Sequence, residues 1–242
     1  MKRTIVLLYL LPVFFFCQGQ SNKIPETTNY TQKIEFGIKG PVKEVTNYTC
    51  KVTDGKIPAD TTDYIGHSTM TFDQSGNVLT LERIWDFGTI GKSRFSSTFS
   101  GTGRAISFKQ TARFADQEAT ESSYSYQWSD NYSYRIVSAE RNNDTNLITL
   151  DRNYRLIKNI FKKESSIQSI EEWETIYEDK KIKEVVTKIT EYSKGGTEVS
   201  YQVQVVQEYD KYGNPTVIYG YLDRNRQTIK QVFYKKYTYY QE

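Results

Sequence analysis

The side chains able to do chemistry in this chain are few. His67 is the single histidine, and only Cys17 and Cys50 could join it as metal ligands. A zinc site draws on several imidazole or thiolate ligands, so no metal centre is expected. A serine–histidine–acid set would have to pass through the same histidine, and no Gly-x-Ser-x-Gly elbow presents a serine. Gly101-Thr102-Gly103 is not followed by a helix start and reads as a turn, not a phosphate loop. Carboxylates remain, because glycoside hydrolysis needs two of them flanking a sugar. Glu171, Glu172 and Glu174 surround Trp173, and Asp60 and Asp63 share a loop. Adjacent residues of a strand point to opposite faces, so Glu171 and Glu172 cannot grip one bond together. No catalytic residue is assigned, no cofactor is implied, and the chain is not expected to be an enzyme.

Aromatic rings are the stronger lead. With Ser129-Asp130-Asn131 as a three-residue turn, Trp128 faces Tyr132, Tyr126 faces Tyr134 and Tyr124 faces Ile136, a ladder on one face. Tyr219, Tyr221, Phe233, Tyr237 and Tyr239 suggest a second stripe. Rigid amphipathic rings can serve as a platform for a glycan, a lipid or a partner protein. They can equally form the core of a leucine-poor sheet. Tyr124, Tyr126, Trp128, Tyr132 and Tyr134 are therefore the candidate binding surface.

The elements that hold these rings are strands. A corner recurs along the chain: Phe72-Asp73-Gln74-Ser75-Gly76-Asn77, Tyr209-Asp210-Lys211-Tyr212-Gly213-Asn214 and, more loosely, Phe99-Ser100-Gly101-Thr102-Gly103. Trp128-Ser129-Asp130-Asn131, Leu150-Asp151-Arg152-Asn153, Tyr192-Ser193-Lys194-Gly195-Gly196 and Leu222-Asp223-Arg224-Asn225 are weaker copies. Asp and Asn side chains bond to nearby backbone, and Gly and Asn tolerate positive φ, so each copy is a hairpin corner. Beyond residue 30 leucine occurs only at 79, 81, 147, 150, 156 and 222, while Tyr, Thr, Val and Ile abound. The expectation is all-β: an antiparallel meander of about fourteen strands over residues 36–242, preceded by a flexible leader at 20–35. Open twisted sheets of more than roughly ten strands curl or split, so this one should curve or roll up. Residues 167–177 also show near-helical spacing, but β-branched enrichment in the following run favours a strand.

These corners resemble the YD repeats of Rhs-type proteins, and the short signal-bearing envelope proteins of Gram-negative bacteria built from similar units. Tyr209 to Asn214 and Phe72 to Asn77 carry the likeness, with Gly40-Pro41-Val42-Lys43-Glu44-Val45 resembling the opening of the short members. The resemblance implies successive hairpins in a curved sheet that acts as a shell or interaction surface. For the short members it implies no catalytic residues.

Lys2-Arg3, the apolar run Ile5 to Phe16 and the exit Cys17-Gln18-Gly19-Gln20 read as a secretory signal over residues 1–19. Either cleavage leaves Gln20 first, or Cys17 is lipidated. Losing Lys2 and Arg3 takes the formal charge from +3 to +1, which gives no footprint for nucleic acid. The sequons at Asn29, Asn47, Asn131 and Asn143 matter only in a eukaryotic secretory route. Lys183 beside Glu184, and Lys235 between Lys230 and Lys236, put charge on both faces of strands, which argues against a lipid-facing barrel and against a transmembrane span. The expectation is a periplasmic or surface protein, either free or lipid-anchored. Its function would be contact with an envelope protein partner or scaffolding. The alternatives are carriage of a lipid or glycan in an aromatic-lined cavity and, with least support, glycoside hydrolysis.

Overall fold

A computed structural model describes residues 29–140 and 144–241, so residues 1–28, with Cys17, lie outside it. Fourteen strands follow one another: β1 (Val42–Lys51), β2 (Tyr64–Phe72), β3 (Val78–Asp86), β4 (Lys92–Thr102), β5 (Ala105–Phe114), β6 (Thr120–Trp128), β7 (Ser133–Ser138), β8 (Thr145–Leu150), β9 (Leu156–Lys163), β10 (Ser166–Glu178), β11 (Lys181–Ser193), β12 (Gly196–Tyr209), β13 (Pro215–Tyr221) and β14 (Gln231–Tyr239). Each pairs antiparallel with its sequence neighbours, as the repeated corners require. β14 then pairs with β1, from Val42 opposite Tyr239 to Lys51 opposite Gln231. The rolled meander is thus a closed barrel. Closure removes both free edges. The doubtful stretch at 167–177 is strand β10, with Trp173 and Thr175 on one face.

Strand alternation divides the wall into two faces. Val45, Asn47 and Thr49 of β1 sit opposite Met70, Ser68 and Gly66 of β2, and opposite Tyr237, Lys235 and Phe233 of β14. Members of this set line the lumen. The intervening residues face outward and are rich in charge: Glu82, Arg94, Lys109, Arg135, Lys158, Glu172 and Lys188 fall on successive parts of the wall. A lysine or arginine facing lipid costs about 2–4 kcal/mol at mid-bilayer, so this exterior suits water. Among the described residues no helix is long and apolar enough to cross a membrane.

A fourteen-stranded barrel is wider than the roughly eight-stranded size that side chains alone can fill. The extra space is partly taken by the chain's own beginning. Residues 30–35 belong to the folded unit, which corrects the expected leader boundary at 35. Tyr30 and Gln32 are almost wholly buried, and Glu35 is buried with them. A single helical turn, α1 (Gln32–Glu35), is capped by Thr31, whose Oγ1 accepts from the Ile34 N–H at 3.3 Å. Tyr30 packs with Ile106, Tyr134, Ile148 and Leu150 in one core cluster. Ile38 packs against a second, formed by Val42, Phe72 and Val78. The polar look of this segment hid its burial because its polar side chains find partners inside.

The repeated geometry of the corners holds this plug in place. At the corner after β2, Asp73 N–H donates to Asn77 O, Gly76 N–H to Asp73 O, and Asn77 N–H to Asp73 Oδ1. Asp210, Gly213 and Asn214 after β12 repeat all three bonds. Asp151, Tyr154 and Arg155 after β8 repeat them again, with Tyr154 rather than glycine at positive φ. All three corners lie at the end of the barrel where the chain enters, and all three touch the entering segment, the third through Tyr154, whose ring meets that of Tyr30 edge-on at 5.9 Å. Lys33 N–H donates to Gly76 O at 3.0 Å, and Lys39 N–H donates to Asn214 Oδ1 at 2.7 Å.

Candidate functional site

The residues expected to form a binding surface do share one face, and that face is the lumen. Their register differs from the expectation. Trp128 pairs with Tyr134, Tyr126 with Ile136 and Tyr124 with Ser138. The turn is longer than three residues because Ser129 N–H and Oγ–H both donate to Ser133 O, which keeps Tyr132 out of the ladder. A slip of two residues leaves the inward face unchanged. Tyr126 stacks on Tyr134 with centroids 4.6 Å apart, Tyr124 stacks on Phe108 at 4.8 Å, and Tyr132 packs on Tyr154 at 5.5 Å.

This ladder is occupied by the protein itself. Tyr30 meets Trp128 edge-on at 4.8 Å. The Tyr30 hydroxyl donates to Glu35 Oε2 at 2.6 Å, and the Tyr134 hydroxyl donates to Glu35 Oε1 at 2.8 Å. Gln32 Oε1 accepts from the Val78 N–H at 2.8 Å, the free amide at the start of β3. Burial raises the Glu35 carboxyl above its ordinary range, and the two phenols only partly offset this. The Tyr30, Tyr126 and Tyr134 hydroxyls are all pushed up, first by burial and then by the nearby Glu35 carboxylate. The rings are a core closed around a buried carboxylate, the outcome a leucine-poor sheet demands.

The second stripe splits. Phe233 and Tyr237 line the lumen, while Tyr219 pairs with Val232 on the outer face. The candidate carboxylates separate as alternation requires. Glu171 turns inward and accepts from Asn159 Nδ2 at 3.2 Å. Glu172 lies outside between Lys158 at 3.2 Å and Lys188 at 3.4 Å. His67 is on the outer face beside Tyr48, with ring centroids 4.8 Å apart, and Cys50 is buried beneath the 52–63 loop near the Asp60 carbonyl. Among the described residues no three His, Cys, Asp or Glu side chains gather around a metal-sized space.

The cavity lies beside the plug. Its volume is about 440 Å³. Phe36, Gly37 and Ile38 form its roof, and Met70, Trp173, Ile218, Phe233 and Tyr237 supply apolar wall. Lys235, Asn47 and Ser68 are its polar inner row. Gly37 and Gly40, both at positive φ, bring the strap close to the wall, with Gly40 lying against the face of the Tyr212 ring. The alternation of β10 to β14 announces these inward positions in the sequence, but only barrel closure brings Phe233 across from Trp173. No family model, no curated protein and no solved structure matches the chain. Its function must be read from the barrel.

Proposed function

We propose that the protein is a non-catalytic carrier: a closed β shell, exported to the bacterial envelope by its amino-terminal signal, that holds a small apolar or amphipathic molecule in its lumen. The observation that carries this reading is the 440 Å³ cavity, walled by Met70, Trp173, Ile218, Phe233 and Tyr237. It falls within the roughly 300–1,000 Å³ typical of small-molecule sites, which are mostly apolar with a few placed polar groups. A glycan would ask for exposed rings and many hydrogen-bonding partners, so a lipid-like ligand fits this wall better. The resemblance to YD-repeat shells agrees with an enclosing role.

The test uses N-phenyl-1-naphthylamine, a neutral apolar dye that brightens on leaving water. The mature protein should take up the dye saturably, and Val206→Trp, which places an indole in the cavity, should abolish uptake while the protein still melts cooperatively. A wild type that leaves the dye dark, or a filled variant that binds undiminished, would sink the carrier.

A second reading, contact with an envelope protein, has one observation in its favour. Phe87 and Ile90 are 50% and 69% exposed, and Phe114 sits 6.3 Å from Phe87 between ring centroids, at the end away from the plug. Closure leaves only faces and ends for such contact, since no strand edge is free. A pull-down from the native envelope with wild type against Phe87→Ser/Ile90→Ser would reveal a partner retained only by the former.

A further inference from the structure

We infer that the lumen binds its ligand by an anionic headgroup, and that a single-chain carboxylate, fatty-acid-like, is the chemical class it takes. This rests on the carrier reading and names its ligand. One inward row crosses four strands. Lys235 of β14 is opposite Asn47 of β1, Asn47 is opposite Ser68 of β2, and Ser68 is opposite Arg83 of β3. The first three line the cavity. Among the described residues no carboxylate or carbonyl is bonded to Lys235 Nζ, and no acid raises its pKa. A partly desolvated ammonium with no counter-charge is costly unless a ligand supplies the opposite charge or water solvates it. Lys235 is half-buried, and desolvation by the surrounding wall lowers its pKa; Arg83, at the end of the row, stays exposed.

The rest of the wall complements a chain, not a second charge. Phe233 is two residues from Lys235 on the same inward face, and Tyr237 two residues the other way. Trp173, Ile218 and Val206 close the space beyond them. The acid that lines the cavity, Glu35, is already bonded to Tyr30 and Tyr134, and Glu171 is bonded to Asn159. A carboxylate at Lys235 would accept charge-assisted hydrogen bonds in a site of low dielectric, and its alkyl tail would lie along the apolar wall.

The experiment compares dodecanoate, dodecanol and dodecylamine by displacement of N-phenyl-1-naphthylamine, in wild type and in Lys235→Met, which keeps the stem and removes the charge. Dodecanoate should bind wild type about tenfold or more tightly than dodecanol, dodecylamine should bind weakest, and Lys235→Met should erase the preference while still binding dodecanol. Equal affinities for dodecanoate and dodecanol in wild type would overturn the headgroup assignment and leave the carrier standing. If none of the three displaces the dye, or the dye never binds, the carrier falls as well. A readout independent of the variant is the carboxyl signal of [1-¹³C]dodecanoate bound to wild type. It should titrate below its value in neutral phospholipid vesicles, and an unshifted or higher titration would also overturn the assignment.

Discussion

Asn214 grips Lys39 by both ends of its side-chain amide. Its Oδ1 accepts from the Lys39 N–H at 2.7 Å, and its Nδ2 donates to the Lys39 carbonyl at 3.0 Å. The same Nδ2 reaches Asp210 Oδ2 at 3.1 Å and the Tyr239 hydroxyl at 3.2 Å. A corner residue thereby mimics a strand neighbour for the incoming chain, satisfying two backbone groups that no ladder reaches. The equivalent Asn77 uses its Oδ1 on the Gly103 N–H, joining two adjacent corners. One motif ties corner to corner at one site and corner to plug at the other.

Asn214→Ala should cost about 2 kcal/mol, because it strands a buried amide and carbonyl as well as deleting bonds. Urea denaturation gives the loss. Hydrogen exchange should show its local part, with faster exchange at residues 36–41 and little change in β4 to β6. Uniform acceleration across the barrel would contradict the clamp.

The two carboxylates of the plug region should pull stability in opposite directions with pH. Glu35 is raised when folded, so its contribution is full below the ordinary carboxylate range and is lost as pH climbs through the raised value. Asp210 is raised by burial but brought lower overall by bonds from Tyr239, Asn214 and Tyr212, so its contribution holds above the ordinary range and is lost as pH falls through its depressed value. Relative to wild type, Glu35→Gln should therefore be least harmful at the alkaline side of that window, and Asp210→Asn least harmful in acid. Melting curves of the three proteins from pH 3 to 8 check both signs.

Tyr126→Ala and Tyr134→Ala should destabilise the barrel by about 3–5 kcal/mol, since each removes a buried ring from a packed stack. Tyr134→Phe should cost about 1–2 kcal/mol by leaving Glu35 short of a donor. None should weaken dye uptake at temperatures where the variant is folded, because the ladder holds Tyr30 and not the cavity. Selective loss of uptake without loss of stability would return these rings to the binding surface.

Cys50 should be silent to thiol reagents in the native protein. Its side chain is buried under the 52–63 loop, with Sγ 3.8 Å from the Asp60 carbonyl, and burial raises its pKa. Modification by a chromogenic disulfide should follow opening of that loop and rise sharply in denaturant. Rapid labelling in buffer would place the loop off the wall.

What the amino-acid sequence determined was local. Asp, Gly and Asn at the corners can satisfy their own backbone and accept positive φ, so Phe72 to Asn77 and Tyr209 to Asn214 specify reversals without help from the rest of the chain. Alternation then assigned Trp173, Thr175 and Tyr177 to one face, and Glu171 and Glu172 to opposite ones, because the period of a strand is two; the irregularity between Ile176 and Tyr177 breaks that run only at its end. The tertiary structure decided what those faces meet. Whether fourteen strands roll loosely or close depends on the pairing of β1 with β14, separated by almost the whole chain, and no local signal encodes it. Closure turned the aromatic face inward. It also drew the polar segment at Tyr30, Gln32 and Glu35 into the lumen, where Gln32 meets the Val78 N–H and Glu35 the Tyr134 hydroxyl, partners that the segment's own neighbours could not reveal. The row Lys235, Asn47, Ser68 and Arg83 exists only across strands, so its unpaired charge could be seen only once the sheet had become a wall around a cavity.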